Sequence, residues 1–230
     1  AAAGGDVYTA AIPGQPTGTL VEYHLEAGDT DGIVLTSPLA APESLHAWAE
    51  AMKLTYADRA IYMGDPEFVD VPIDRLISKD FARERHALIQ SSRVLNNPAA
   101  GNAWPLESAS TSHFSVADAA GNMVACTQTI NHFFASGITT PGTGIILNDQ
   151  MDDFDKRPGR ANSIAAGKKP LSSMSPTLLL KDGQPFAAIG SPGGKRIITT
   201  MALLISYMVD HGMDIQSAIM APRINNYEQG

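Results

Sequence analysis

The sequence is poor in cysteine, in basic residues and in aromatic side chains, and it has no long apolar run. Its single cysteine, Cys126, excludes an internal disulfide. That residue sits in an apolar strand-like segment, where a buried, inert thiol is the ordinary role. Lys and Arg number 16 against 24 Asp and Glu, a net charge of −8, and no basic stripe runs along any segment. This excludes the electrostatic footprint of a nucleic-acid-binding protein. No apolar stretch approaches the roughly 20 residues that a membrane-spanning helix needs, so no membrane span is expected. Residues 1–5 have neither a basic nor an apolar signal region, so no signal peptide is expected in this chain. The six histidines show no metal-ligand spacing, and no metal is expected.

What is present is a folded chain. It has 230 residues, 44% hydrophobic and 17% charged, enough for one large domain or two small ones. Residues 1–42 are rich in Gly, Pro, Ala and Thr, with short strands expected over 19–25 and 32–36. Residues 44–63 read as the clearest helix. Ser44 caps it, Leu45, Trp48, Ala49, Met52, Tyr56 and Ala60 recur at helical spacing, and Gly64 and Pro66 stop it. Residues 68–72 read as extended and 78–89 as a second, more charged helix. The polar stretch 96–110 reads as loop, either a linker or a place where the chain is cut.

Thr111-Ser112-His113-Phe114-Ser115-Val116 is the stretch where we place the chemistry. Residues 113–118 and 123–130 are strand-like runs joined by the turn-type Ala119-Ala120-Gly121-Asn122. Alternate side chains of a strand share a face. Thr111, His113 and Ser115 therefore line one side of the first strand, and Thr127 and Thr129 one side of the second, with Asn131 just beyond. Two hydroxyl-bearing faces can meet across such a hairpin, although an ordinary half-polar hairpin has the same pattern.

Further on, residues 144–147 read as a short strand, and 148–154 cluster polar and acidic groups as a solvated loop or a divalent-cation site. A second hairpin is expected from 177–181 and 185–190 across Asp182-Gly183, a strong short turn signal. Gly190-Ser191-Pro192-Gly193-Gly194-Lys195-Arg196 is too short for a phosphate-binding loop, and Arg196 stands where its metal-binding hydroxyl belongs. A helix over 197–210 follows, with Ile197, Met201, Leu204, Ile205 and Met208 on its buried side. Two glycines before a helix leave backbone N–H groups approachable, suited to a developing oxyanion or simply to a tight turn. A last short helix is expected over 214–220.

Taken together, the 111–116 stretch, residues 147–154, 170–177 and the Gly-Ser-Pro-Gly-Gly segment resemble, in order and spacing, the small subunit of γ-glutamyltransferases. Glu50-Ala51-Met52-Lys53, Tyr56-Ala57-Asp58-Arg59 and Gly64-Asp65-Pro66 resemble the C-terminal part of the family's large subunit. The resemblance implies an α+β fold, the four-layer αββα sandwich of N-terminal-nucleophile hydrolases, here expected to be incomplete. It implies residues 1–110 as a large-subunit-like segment and 111–230 as the small-subunit-like catalytic segment, building one structural domain. Self-cleavage between Ser110 and Thr111 would free Thr111 as nucleophile, with its α-amino group as base. Gly193 and Gly194 would form the oxyanion hole, and Thr129 would support the nucleophile. Asn131, Gln150 and Asp153 would surround the donor's α-amino group, and Ser172 and Ser173 its α-carboxylate.

The same resemblance implies a γ-glutamyl hydrolase or transferase acting on glutathione-like amides. The acceptor would be water, an amino acid or a peptide, no cofactor is needed, the two pieces would stay associated, and the location would be periplasmic or secreted. Residues 1–42 match nothing in the family's region that carries an arginine for the α-carboxylate, as in a shortened member. Residues 155–169 carry no tyrosine where some members have a lid, which favours hydrolysis, and Ser112 replaces a commoner threonine. A related cephalosporin or glutaryl acylase and an inactive family fragment are the alternatives.

Overall fold

A computed structural model describes residues 8–10, 42–90, 94, 95 and 111–225, with the backbone only for 8–10 and 42–45. The strands expected over 19–25 and 32–36, the loop 96–110 and Ser110 lie outside the described residues. The elements run β1 (Tyr8–Ala10), α1 (Pro42–Tyr62), α2 (Ile73–Leu76), α3 (Lys79–His86), β2 (Thr111–Ala117), β3 (Met123–Thr129), β4 (Thr177–Lys181), β5 (Gln184–Ile189), α4 (Arg196–Val209) and α5 (Ile215–Met220). They divide between two units. One holds the five strands with α4 and α5, and the other holds α1, α2, α3 and residues 135–172.

In the strand-bearing unit both expected hairpins are present. β2 and β3 pair antiparallel, Thr111 opposite Thr129 and His113 opposite Thr127. Asp118 closes their turn, its carboxylate accepting the backbone N–H groups of Ala120 and Asn122 at 2.9 Å each. These bonds and the Asn122 side-chain amide, which contributes most, hold the Asp118 carboxyl below its usual pKa. β4 and β5 pair across Asp182 and Gly183, whose φ angles of 51° and 74° meet the demand of a two-residue hairpin turn for left-handed backbone. Pro185 has no N–H to give, and the register shifts between Leu179 and Leu180 opposite it. β1 adds to β4, giving the order β1-β4-β5, and β2 and β3 pack against β5.

α4 fills the core of this unit. Ile197, Met201, Leu204 and Met208 are buried as expected, Ile205 is only half-buried, and Thr199, Leu203, Ser206 and Tyr207 are buried as well. A helix buried on nearly every side has no single apolar stripe to read. The Tyr207 hydroxyl donates to the Pro222 carbonyl at 2.5 Å, so this buried ring keeps its polar end satisfied. Asp214 caps α5 by accepting the Ser217 N–H at 3.0 Å.

In the second unit α1 spans the expected helix, but its buried side differs. Glu50, Met52, Leu54 and Ala57 are buried, whereas Trp48, Ala49 and Tyr56 are half-buried and Ala60 is exposed. The buried Glu50 explains the shift. It takes a 2.8 Å ion pair from Lys53 and the Leu95 N–H at 2.9 Å, so a carboxylate occupies a core-facing position. Burial pushes the Glu50 carboxyl up, but these partners outweigh it and its pKa falls below the usual value. The expected second helix is α3, which ends earlier than expected, with Ser78 capping it through the Phe81 N–H at 3.1 Å; the short α2 before it was not expected.

The segment expected to be extended over 68–72 begins as a turn. The Asp65 carbonyl accepts the N–H groups of Phe68 and Val69 at 2.9 and 3.0 Å. Gly64 permits it, since a Cβ there would lie 2.4 Å from the Ala161 carbonyl oxygen. The strand expected over 144–147 reduces to an isolated bridge, Thr139 to Ile146. Gly142 and Gly144 take φ angles of 78° and 71°, which interrupt extended pairing. Among the described residues no helix is long and apolar enough to cross a membrane.

Candidate active site

Thr111 is the first residue of β2, and the hairpin register sets it directly across from Thr129. Its hydroxyl donates to Thr129 Oγ1 at 3.3 Å. The Asn131 N–H donates to the same oxygen at 2.9 Å. Asn131 takes a φ of 79°, a left-handed conformation that asparagine tolerates better than most side chains. One end of the hairpin thus joins Thr111, Thr129 and Asn131, and all three are half-buried.

The same face continues inward from that end. His113 Nδ1 lies 2.7 Å from Thr127 Oγ1, and its Nε2 lies 3.0 Å from Ser115 Oγ. The Ser115 hydroxyl donates to the Ala188 carbonyl of β5 at 2.8 Å. Burial pulls the His113 pKa below its ordinary value. The opposite face carries Phe114, Val116 and Val124, all exposed.

Gly193 and Gly194 lie between β5 and α4 with φ angles of 135° and 58°. Both lie at positive φ, where glycine is favoured over any other residue. Their carbonyls accept the N–H groups of Arg196 and Ile197 at 3.2 and 3.1 Å, the first bonds of the helix. Neither glycine N–H donates to another described residue, which leaves two donors available to an anion. Ser173 belongs to this unit too. Its carbonyl accepts the Ser175 hydroxyl at 3.1 Å.

The remaining candidates, Gln150, Asp153 and Ser172, belong to the second unit. Gln150 to Asp153 form a single turn of 3-10 helix, within which the Gln150 side-chain amide donates to the Asp153 carboxylate. Ser172 is exposed. A residue missed by sequence reasoning ties this group together. The Asn162 amide donates to the Asp153 carbonyl at 2.7 Å, and its oxygen accepts the Leu171 N–H at 3.1 Å. Asn162 thus spans the backbone beside both Asp153 and Ser172. The loop around it is stiffened by Arg157, which grips Asp155 through two bonds of 2.9 and 2.7 Å and holds the Asp155 carboxyl below its usual pKa. A lone asparagine in a basic loop gives no sequence signal of this role. Among the described residues no cluster of His, Cys, Asp and Glu is arranged to hold a metal ion.

Comparison with known proteins decides the family. Residues 5–229 match the family model described as Gamma-glutamyltranspeptidase. The chain belongs to the γ-glutamyltranspeptidase family. It is similar to the glutathione hydrolase proenzyme of Bacillus subtilis strain 168, with 43% identity over 198 residues, 79% of this chain and 34% of that protein. It is also similar to the acylase ACY 1 proenzyme of Pseudomonas sp. strain SE83, with 46% identity over 182 residues, 79% of this chain and 32% of that protein. Among solved structures, the cephalosporin acylase of Bacillus halodurans superposes with a TM-score of 0.67 at 28% identity, covering 80% of this chain and 33% of that one. This γ-glutamyltranspeptidase-family chain therefore spans about a third of the length of the curated relatives it matches. It shares its mixed helix-and-strand fold with the acylase.

Proposed function

We propose that the chain carries the catalytic segment of a γ-glutamyl hydrolase or transferase, with Thr111 as its nucleophile. The observation that carries this reading is the position of Thr111 at the head of β2, hydrogen-bonded to Thr129, in a chain of this family. Self-cleavage between Ser110 and Thr111 would divide it into a large-subunit-like part, 1–110, and a catalytic part, 111–230, which stay associated in one structural domain. The fold proposed for the whole is a four-layer αββα sandwich. The exposed Phe114, Val116 and Val124 on the outer face of the hairpin support it, because a further layer would bury them.

The chemistry follows from a freed N-terminal threonine. Its α-amine, with an ordinary pKa of about 7.7–8.0, is part neutral at physiological pH and takes the proton from Thr111 Oγ1 as that oxygen attacks the γ-carbonyl carbon of the donor. The carbonyl oxygen becomes an oxyanion that the N–H groups of Gly193 and Gly194 stabilise. Collapse expels the leaving amine, which carries away the proton from the α-ammonium and leaves an ester on Thr111. Water releases glutamate from that ester, or the amine of an amino acid or peptide takes the γ-glutamyl group. Thr129 orients Thr111 through their shared hydrogen bond. Asn131, Gln150 and Asp153 would bind the donor's α-ammonium and Ser172 and Ser173 its α-carboxylate. No step calls for a metal or an organic cofactor.

A second reading, a glutaryl or cephalosporin acylase, draws on the two acylase relatives. Asp153 counts against it, since a glutaryl group offers no ammonium for that carboxylate. The direct test is a denaturing gel of the purified protein with N-terminal sequencing of the smaller bands. Wild type is expected to give pieces 1–110 and 111–230, the second beginning at Thr111, and Thr111→Ala to stay whole. A folded wild type that remains intact would end the assignment of Thr111.

A further inference from the structure

His113 lies on the same face of β2 as Thr111, and both its ring nitrogens are engaged. The proton count fixes its state. A hydroxyl has one proton, and Ser115 gives its own to the Ala188 carbonyl. Ser115 Oγ therefore accepts from His113, so the imidazole proton sits on Nε2. In the neutral ring Nδ1 is then an acceptor, and the Thr127 hydroxyl donates to it. Burial lowers the His113 pKa, and among the described residues the groups shown against the ring are Ser115 of β2, Thr127 of β3 and Gly190 just after β5, none of them charged.

The ring also lies directly on the backbone that leads to the glycine pair. A Cβ at Gly190 would fall 2.1 Å from His113 Nδ1 and 2.2 Å from its Cε1. Gly190 directly follows β5, three positions before Gly193. One side chain thus touches β3 through Thr127, β5 through Ser115, and the approach to the glycine turn through Gly190.

We propose that His113 is a positioning residue. As the neutral Nε2–H tautomer it locks the strand that carries Thr111 against the turn that carries Gly193 and Gly194. This rests on the reading of Thr111 as nucleophile and the two glycines as oxyanion donors. The lock has a chemical purpose, because the nucleophile heads the β2–β3 hairpin, the oxyanion donors sit in the turn between β5 and α4, and the two must be held to about 0.5 Å of their productive geometry. A misplacement of about 1 Å can cost on the order of 10²-fold in rate. A simple space-filling role predicts something different, since any flat ring of similar size would serve.

The test compares ring volume with ring nitrogens. His113→Phe keeps the ring over Gly190 and loses both hydrogen bonds. Its kcat on a γ-glutamyl anilide is expected to fall about 10- to 100-fold, with KM within about twofold. His113→Asn, which offers an oxygen near the place of Nδ1, is expected to recover part of the loss. In wild type, ¹⁵N spectra of the imidazole at pH 7 are expected to show the Nε2–H form. Full activity in His113→Phe, an Nδ1–H or charged ring, or an effect confined to KM would overturn the proposal. Should the ring variants fail to fold, Ser115→Ala keeps the ring and its Thr127 contact but removes the Nε2 partner and with it the link to Ala188. It is expected to lower kcat about tenfold and to shift the amide signals of Gly193 and Gly194, and unchanged signals would overturn the lock. These spectra need no turnover. An uncut, inactive wild type would defeat the nucleophile reading, while the tautomer and the glycine signals would still judge His113.

Discussion

The Asp65 carboxylate accepts the backbone N–H of Lys169 at 2.8 Å, joining positions 104 residues apart in the chain. Its other oxygen accepts the Glu67 N–H at 3.1 Å, so both oxygens of this buried carboxylate serve backbone groups. The bond lies three residues before Ser172, and with Asn162 it sets the course of the chain into that candidate carboxylate-binding segment.

A pH dependence follows. The Lys169 N–H, more than any other cause, holds the Asp65 carboxyl below its usual pKa. A carboxyl with a depressed native pKa stabilises the fold fully above its unfolded value of about 3.9, and that contribution is lost as pH falls through the native pKa. Asp65→Asn is therefore expected to be less stable than wild type at pH 7, with the difference narrowing below about pH 4. Urea unfolding at pH 7 and at pH 3 measures it. A gap that does not narrow on acidification would mean that the charge on Asp65 contributes nothing.

Asn162 makes a separate prediction. Asn162→Ala strands the Asp153 carbonyl and the Leu171 N–H, at a cost of about 1–3 kcal/mol in stability. It is expected to raise KM for a γ-glutamyl anilide about tenfold while kcat changes little, because both flanking segments belong to the proposed donor site. Asn162→Asp keeps the acceptor for Leu171 and should fall between the two. If KM stays at the wild-type value in Asn162→Ala, the loop does not shape donor binding.

The oxyanion assignment calls for removal of a backbone donor without strain. Proline at 194 cannot adopt a φ of 58°, so Gly194→Pro would distort the turn as well as delete the N–H. Replacing the Gly193–Gly194 peptide bond with an ester, by semisynthesis, deletes the Gly194 N–H and only weakens the Gly193 carbonyl that accepts the Arg196 N–H. Loss of such a donor costs about 10²–10³ in kcat in other enzymes, and a similar loss is expected here. Turnover equal to the all-amide protein would rule this N–H out.

Substrate choice turns on Asp153. A γ-glutamyl donor brings an α-ammonium to this carboxylate, and a charge-assisted bond of that kind contributes roughly 1.5–3 kcal/mol. A glutaryl donor brings none and leaves Asp153 facing a like charge. We expect γ-glutamyl amides to be preferred by at least about tenfold in kcat/KM, a ratio that ~1.4 kcal/mol supplies. Asp153→Asn should narrow the preference by harming the γ-glutamyl substrate most. Paired kinetics on γ-glutamyl and glutaryl anilides decide it, and equal rates in wild type would favour the acylase reading.

What the sequence determined by itself is local. The two-residue period placed Thr111, His113 and Ser115 on one face, and the register sets two of them opposite Thr129 and Thr127. Asp182-Gly183 announced a hairpin, and the helices expected from 78 and 214 do begin there, capped by Ser78 and Asp214, whereas Ser44, expected as a cap, lies inside α1, which starts at Pro42. Periodicity and turns are legible because each depends on neighbours a few residues away. Tertiary structure alone decided the rest. Glu50 faces the core because Lys53 and the Leu95 N–H satisfy it, and the Phe68 turn forms because Gly64 lets the backbone approach Ala161. Asn162 bridges Asp153 and Leu171, and the His113 ring rests on Gly190. In each of these cases a polar side chain or a bare Cα meets the backbone of a distant segment. Any residue can supply a backbone partner, so such a contact leaves no pattern in the sequence to be read.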